Sequence, residues 1–461
     1  HYIHKVGVDA MRFRVLSFFD RRKLIWICVA VAAILVLGGL YLWYASTYGN
    51  AKKIVVPSNF GIEYEWQEIA SNNGIVTDFL WARTRSVMVE DASDGVLIPS
   101  SYVVKGRLAT QPSAESGMYN LRDQAMLLNI YVSQGDRSRA SQLQERVLEL
   151  FASGDSGLLV STVYADTYEG DKELEGLVSV YDNMIWLESF VNYYSLYGTS
   201  QNFDWLQGYV GVLFDHEGMP IVEDLSVETY IENAYVGVTD DELSEVDSQS
   251  GSLTNFSQEA NQTQEQDEQM TAYVGVKISS IRLQLVDTLE TNELLPEGSY
   301  DRLLQIVLDS RVSPELPLYA YAYTFLEDGS ISYVYEANRA ARISVSESVQ
   351  TMYNLALVGQ LPQESYAWLK TQLMNNASLS DTYSMISGML EGDKATDVYD
   401  EILRIAYLNE DSSFFERVCS FVGYRVATLS SSEVLSMIFR SSNGRFICYA
   451  SDNLGVFLAL M

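Results

Sequence analysis

The side chains that this sequence offers for chemistry are carboxylates and aromatic rings. It has 61 Asp and Glu residues and 12% aromatic residues, but three histidines and three cysteines. His216 is the one histidine beyond the first ten residues, and its surroundings, DHEG at 215–218, are typical of a turn. The sequence contains no CxxC, HExxH or glycine-rich phosphate loop. The sequence therefore has too few histidines for a histidine metal site or a Ser-His-Asp triad, and we predict no metal and no cofactor.

Carbohydrate cleavage suits this set of side chains. A glycosidase needs two carboxyl groups and surfaces on which a sugar ring stacks, and it needs no cofactor. Tyrosines alternate along the stretch 318–337, at positions 319, 321, 323, 333 and 335. They either line a sugar cleft or pack in the core. Composition alone does not select the carboxyl groups that would act.

Two stretches resemble motifs of glycoside hydrolase family eight. Residues 113–119, SAESGMY, resemble the family's Ser-Glu-Gly-x-x-Tyr motif, whose glutamate is the general acid. The resemblance places this role on Glu115 and brings Tyr119 to the substrate. Residues 179–185, SVYDNMI, are similar to the family's Asp-Asp-Leu-Arg-Ile helix, whose aspartate holds the sugar at the cleavage point. This implies substrate binding by Asp182 and Trp186; if the family's aspartate aligns with Asn183 instead, substrate binding and activity are both in doubt.

The resemblance offers two candidates for the general base. The C-terminal part is similar to membrane-anchored members of the family found with Gram-positive exopolysaccharide synthases, in LALVG (355–359), WLKTQL (368–373) and YASDNL (449–454). In that subgroup an acidic residue opens the helix after a β-hairpin, which implies Glu347. The rival is Glu336, because YEANR at 335–339 resembles the family's Tyr-Asp-Ala-x-Arg and would bring Tyr335 to the substrate. We prefer Glu347.

The resemblance implies an inverting hydrolase. Its acid must carry a proton near neutral pH, and its base must be ionised and hold a water molecule, with about 6.5–9.5 Å between the two groups. A simpler explanation exists for both glutamates, because a carboxylate at a helix start also favours the N-terminal dipole. It applies to Glu115 and to Glu347, which follows Ser344 and Ser346.

Helix hairpins must position these groups. Apolar residues recur at helical spacing in pairs of segments joined by short turns. The predicted pairs are 117–131 with 138–151, 180–196 with 203–214, 346–358 with 363–374, and 396–409 with 412–428. One β-hairpin, 318–325 with 331–337, turns at Asp328-Gly329. We therefore predict an all-α fold, an (α/α) toroid or barrel with a small β-hairpin; an extended helical solenoid is the alternative.

A run of 22 uncharged residues, 24–45, is long enough to cross a bilayer core of roughly 30 Å. Basic residues at positions 12, 14, 21, 22 and 23 precede it, which predicts a cytoplasmic N-terminus. The predicted order is a cytoplasmic segment (1–23), a transmembrane helix (24–45), a stalk (46–75) and an extracellular domain (76–461) with an acidic polar insertion at 239–270. A cleaved signal sequence is the alternative, for which the run is long.

Charge restricts the partners of this domain. The formal net charge is −31, and residues 173–276 contain no Lys or Arg. This acidity argues against nucleic acid or anionic lipid as a ligand, whereas a neutral or cationic partner fits. The predicted partners are a polysaccharide substrate, the membrane through one helix, and a polysaccharide synthase in that membrane.

Three functions follow, in order of preference. The first is a membrane-tethered, endo-acting extracellular glycoside hydrolase that cleaves a β-linked exopolysaccharide, cellulose-like or containing amino sugars. The second is a surface protein that keeps the helical ring and its cleft but only binds a glycan or a synthase. The third is an adhesin or signalling ectodomain whose contact site is the acidic segment 239–270.

Overall fold

The structure is a computed structural model that describes residues 26, 29–49, 51–57, 61–104, 114–154, 156–166, 172, 174–235, 274–335, 342–375, 379–385, 388, 390–395, 397–442 and 445–461. The chain forms two compact units, one of residues 1–53 and 198–205, the other of 54–197 and 206–461. Helix α1 (Val29–Tyr48), in the first unit, is long and apolar enough to span a membrane. The candidate site lies in the second unit.

The remaining helices in the described part of the chain are α2 (Tyr64–Asn72), α3 (Thr77–Arg85), α4 (Leu121–Ser133), α5 (Arg137–Leu150), α6 (Val180–Tyr197), α7 (Ser200–Leu213), α8 (Leu225–Tyr235), α9 (Leu283–Thr291), α10 (Ser299–Asp309), α11 (Val345–Leu357), α12 (Gln363–Asn375), α13 (Tyr399–Leu408), α14 (Ser412–Gly423) and α15 (Ala450–Leu460). They confirm the predicted helix hairpins.

Helices α4, α6, α9, α11, α13 and α15 form an inner ring. Successive helices in this order are in contact except α6 and α9, where α6 meets the 3₁₀ turn Ile278–Ser280 that leads into α9. Helix α15 contacts α4 and closes the ring. Because these helices have neighbours on several sides, they are apolar around most of their circumference; α6, for example, fully buries Trp186, Leu187 and Phe190. Helices α5, α10 and α14 each pack against the inner helix that precedes them.

The N-terminal helices of the second unit close the ring against its last helix. Both α2 and α3 contact α15, and the Ile62 N–H donates to the Met461 carbonyl over 2.9 Å. Ile54, Ile62 and Ala70 are buried. The folded unit therefore begins at Ile54, inside the segment predicted as a stalk, because apolar residues of that segment are needed to cover the C-terminal helix.

Short strands gather where the inner helices begin. The strands are β1 (Ser101–Val104), β2 (Ala114–Glu115), β3 (Met118–Asn120), β4 (Thr162–Tyr164), β5 (Glu223–Asp224), β6 (Val274–Lys277), β7 (Ala322–Phe325), β8 (Ile331–Val334), β9 (Arg342–Ser344), β10 (Leu379–Ser384), β11 (Leu390–Ala395), β12 (Arg440–Ser442) and β13 (Arg445–Tyr449). Their sheets have the orders β12-β13-β1-β2, β11-β10-β9, β3-β4 and β5-β6-β7-β8. β3, β9 and β13 lead directly into α4, α11 and α15, so the strands surround one end of the ring.

Two local differences from the sequence prediction concern the strands. Helix α4 begins at Leu121 rather than at residue 117, because residues 114–120 pair with β1 and β4. The predicted hairpin is present as β7 and β8, with Tyr323 opposite Tyr333. Tyr319, Tyr321 and Tyr323 are at most 5% exposed, so these three tyrosines pack in the core.

The predicted insertion 239–270 lies outside the described residues. Cys419 and Cys448 are both buried and free. His216 lies in an exposed turn, where Gly218 has a φ of 79°, as its sequence surroundings predict.

Candidate active site

A cavity of about 370 Å³ lies inside the ring, and all six inner helices contribute to its wall. Each inner helix supplies lining residues; one example from each, in the order of the helices, is Asp123, Tyr181, Leu285, Tyr353, Glu401 and Gly455. Among the lining residues, Ser101 and Tyr449 belong to strands β1 and β13, at the N-terminal ends of the helices. Leu357 and Ala459 lie near the C-terminal ends of their helices and line the cavity together with Val56. The cavity thus follows the axis of the barrel, with its charged groups concentrated near the helix N-termini.

Three arginines of the cavity wall are held by carboxylates. Arg122 Nε lies 3.3 Å from Asp182 Oδ1. Arg282 donates to Glu188 Oε2 from Nη2 over 2.6 Å and from Nε over 2.9 Å. Arg440 Nε donates to Asp452 over 2.7 Å. Asp182 is fully buried. These pairs fix the side chains of α4, α6 and α15 around the cavity.

Asp123, in the first turn of α4, is a buried carboxyl group without an arginine of its own. Its side chain is hydrogen-bonded to Asn120 and feels the charges of Asp182 and Asp452, both of which are ion-paired. Burial has the largest effect, and with the charges of Asp182 and Asp452 it outweighs Arg122 and the Asn120 hydrogen bond and raises the pKa of Asp123 to about 8. These surroundings disfavour the ionised form of Asp123.

Asp400 and Glu401, at the start of α13, form a second carboxyl pair on the cavity wall. Their carboxyl groups share a hydrogen bond. Burial raises the pKa of Asp400 to about 6, and burial together with the Asp400 charge raises that of Glu401 further. The pair fits against α15 because residue 455 is glycine: a Cβ there would lie 2.1 Å from Asp400 Oδ2.

A third group of charges surrounds Lys277, whose side chain is fully buried at the end of β6. Its Nζ lies 3.0 Å from Glu347 Oε1, 3.4 Å from Glu228 Oε1 and 4.2 Å from the centre of the Tyr181 ring. Ser279 Oγ donates to the other oxygen of Glu347. Glu347 is 8% exposed, and Ser344 caps its helix by accepting from the Glu347 N–H. Both oxygens of this candidate base are therefore hydrogen-bonded.

Glu223 and Glu228 lie next to this lysine. The Val180 N–H, at the start of α6, donates to Glu223 Oε2 over 2.8 Å. Burial and the Glu228 charge raise the pKa of Glu223, and burial raises that of Glu228 against the opposing effect of Lys277. One lysine thus faces three carboxyl groups, which disfavours the ionised forms of Glu223 and Glu228.

Glu115 lies at the edge of the strands, half-buried on β2. Its carboxylate accepts from both the N–H and the Oγ of Ser93, with the backbone nitrogen 3.2 Å from Oε1. It is not among the residues that line the cavity, but the next residue is close to one: Ser116 Oγ lies 2.9 Å from Ser100 Oγ, and Ser100 lines the wall. Glu115 therefore stands at the rim rather than inside.

Asp182 and Asn183 have different surroundings. The Asn183 side chain donates to the carbonyls of Leu159 and Ser179 over 2.9 and 2.7 Å and accepts from the Leu159 N–H. It holds a loop to α6. Asp182 is the acidic residue of this pair that faces the cavity wall, through Arg122.

The structure does not bring the other sequence-predicted site residues together at the cavity. Trp186, expected to bind substrate, is fully buried and does not line it, so it packs in the core instead. Tyr119 is 4% exposed and points away, since its strand neighbours Met118 and Asn120 are the ones that line the wall. Tyr335 follows β8 and is half-buried, and Glu336 lies outside the described residues.

The sequence did not lead to a prediction for several charged residues at or beside the cavity. Asp400 and Glu401 could have been noticed as an acidic pair near the start of the predicted helix 396–409. Lys277 could have been noticed because it follows a stretch of 104 residues without Lys or Arg, 173–276. Asp123 lay within a predicted helix as an ordinary polar residue, and only its tertiary neighbours distinguish it.

No known protein family matches the sequence, and no curated protein matches it. Among solved structures, an α-amylase from Clostridium perfringens is similar, with a TM-score of 0.55 and 13% identity over 83% of this chain and 96% of that chain. PssZ from Listeria monocytogenes aligns with a TM-score of 0.47, 9% identity and coverage of 83% and 94%. Cel10, a family 8 glycosyl hydrolase from Klebsiella pneumoniae, gives 0.44 and 9%, with coverage of 74% and 96%.

These similarities concern the fold. The (α/α) barrel predicted from the recurring helix hairpins is confirmed at that level.

Proposed function

We propose that this protein is a membrane-tethered glycoside hydrolase that cleaves a β-linked exopolysaccharide. The observation that carries the proposal is the cavity along the axis of the six inner helices, whose wall combines tyrosines with carboxyl groups of different pKa, Asp123 and Asp400. Acid–base cleavage of a glycosidic bond requires such differences, because one carboxyl group must give a proton while another accepts one.

In this proposal Glu115 is the general acid. Its position at the rim, on a strand that adjoins the cavity-lining Ser101, suits a group that reaches a bond crossing the mouth of the barrel. The two donor groups of Ser93 orient the carboxyl group, so that little rotational freedom is lost when a substrate binds.

Glu347 is the proposed general base. Lys277 and Ser279 hold its carboxyl group in place, with the lysine Nζ 3.0 Å from Oε1 and the serine hydroxyl donating to Oε2. The small accessible part of the side chain, 10%, is where a water molecule would be activated. Glu336 remains the rival prediction.

Helix α1 supports the tether, since it is long and apolar and its preceding residues are basic. An anchored hydrolase would meet polymer where a synthase of the same membrane releases it. Effective concentration near the membrane would then compensate for a weakly binding cleft.

A reducing-end assay on neutral β-linked glucans and N-acetylglucosamine polymers tests the proposal. Glu115→Gln should lower hydrolysis by at least about 10²-fold, the lower range for loss of general acid catalysis, while leaving the melting curve unchanged. Glu347→Gln should do the same, and Glu336→Gln should not. The matched control is Glu217→Gln, which removes an exposed carboxylate elsewhere in the fold. Hydrolysis by Glu115→Gln at the wild-type rate would remove Glu115 from the mechanism.

A second candidate, a glycan-binding protein without hydrolysis, is favoured by one observation. Both oxygens of Glu347 are engaged by Lys277 and Ser279, which leaves less capacity to activate water. Binding of the same polymers by the wild type, without release of reducing ends, is the result that would select this function.

A further inference from the structure

The cavity wall contains a carboxyl group that the proposed mechanism does not use. Asp123 lies in the first turn of α4, is 2% exposed and lines the cavity. Neither Glu115 nor Glu347 shares this position, because neither lines the cavity.

Counting charges around Asp123 explains its state. The groups that act on it come from β3, α4, α6 and α15: Asn120, Arg122, Asp182 and Asp452. Arg122 is paired with Asp182, and Arg440 is paired with Asp452. Three carboxyl groups therefore share two guanidinium groups.

Asp182 and Asp452 are the two carboxyl groups in ion pairs with these guanidinium groups. The N-terminal dipole of α4 favours an anion at Asp123, as does Arg122. Burial and two neighbouring anions act in the opposite direction and prevail. A neutral carboxylic acid has an O–H that an ionised one lacks, so it donates one hydrogen bond and accepts others.

We propose that Asp123 stays protonated at neutral pH and donates a hydrogen bond from the cavity wall to an oxygen atom of an uncharged glycan. This rests on the proposed function, since it names the class of glycan and a residue that selects it. An anionic sugar would meet the charge of Asp400, which lines the cavity and whose pKa of about 6 leaves it ionised at neutral pH. An ammonium group has no lone pair with which to accept from Asp123, and its charge would favour release of the Asp123 proton to solvent, so that hydrogen bond would be lost.

The protonation half of the proposal is tested without any ligand. Since the pKa of Asp123 is about 8 in the folded chain and about 3.9 unfolded, its proton stabilises the fold fully below about pH 4, and this is lost as pH rises to 8. Asp123→Asn keeps the shape and removes the titration. Its urea midpoint should therefore rise relative to the wild type between pH 5 and 8 and run parallel above 8. Parallel midpoints from pH 5 to 8 would overturn the proposal.

The binding half uses calorimetry with cellohexaose and hexa-N-acetylchitohexaose at pH 6.5 and 9.5. Wild-type affinity should weaken at least about tenfold at the higher pH, since the donor is replaced by an anion. Asp123→Asn should bind equally at both values, which controls for other titrating groups, and Asp123→Leu should bind weakly at both. A wild-type affinity independent of pH would refute the role of Asp123 in binding.

The urea and calorimetry experiments test this inference and the proposed function separately. If the midpoints diverge as expected and neither oligosaccharide binds any variant, the proton on Asp123 stands and the glycan-directed function fails. If the oligosaccharides bind and Asp123→Leu binds as the wild type does, the function stands and the inference fails.

Discussion

At the scale of single residues, the ammonium group of Lys277 lies among the carboxyl groups of Glu228, Glu347 and Glu223. Its side chain is fully buried, so solvent contributes little to this balance. A buried pair adds little net stability when compared with apolar packing, but removing one partner leaves an uncompensated charge. Lys277 is therefore needed to compensate the charge of the buried carboxyl groups around it.

Lys277→Met tests this dependence. We expect a loss of roughly 3–5 kcal/mol in the free energy of unfolding, the range for breaking a buried pair, measured by urea titration. The triple variant Lys277→Met, Glu228→Gln, Glu347→Gln should recover part of that loss, because the unpaired charges are gone. A single-variant loss below about 1 kcal/mol would show that Lys277 carries no such role.

At the scale of elements, close packing between α13 and α15 brings the Asp400-Glu401 pair to the cavity. Gly455 permits it, since the added methyl group of alanine would fall within 2.1 Å of Asp400 Oδ2. Gly208 in α7 has open space around it and serves as the matched position.

Gly455→Ala should destabilise the protein by about 1–3 kcal/mol, the cost of overpacking, partly offset by the better helix propensity of alanine. Gly208→Ala should be neutral or stabilise by up to about 1 kcal/mol for the same propensity reason. Urea unfolding measures both variants. Equal effects of the two substitutions would show that α15 can move away from Asp400 at no cost.

Some elements of the fold could be predicted from the sequence, whereas others could not. Regular stripes such as Leu143 and Val147 in α5 predict helices because the signal lies within one segment. Residues 114–120 resemble a helix start but form β2 and β3, because they pair with β1 and β4, which belong to other segments of the chain. Glu347 is readable as a first-turn residue of a helix capped by Ser344, yet its pairing with Lys277, 70 residues earlier, depends on how the ring closes.

At the scale of the whole molecule, the unit that holds the cavity begins at Ile54. Its first helices, α2 and α3, pack against α15, the last. A domain boundary at residue 76 would remove α2, the buried Ile54, Ile62 and Ala70, and the hydrogen bond from Ile62 to Met461.

We therefore expect a chain of residues 51–461 to stay in the soluble fraction without detergent and to unfold in one cooperative transition. A chain of residues 76–461 should lose several kcal/mol of stability, at about 25 cal/mol per Å² of apolar surface left uncovered. Differential scanning calorimetry compares the two. Equal melting temperatures would place the boundary after α2.

Closure of the ring by its first and last helices also sets an order of assembly. As the chain emerges from the ribosome, five of the six inner helices exist before α15 has been made, so the early chain is an open arc with apolar edges. The cavity exists only once the final eleven residues of helix have docked. A chain shortened at its C-terminus by a frameshift or nonsense codon would thus lose the entire site, although every proposed catalytic residue would still be encoded.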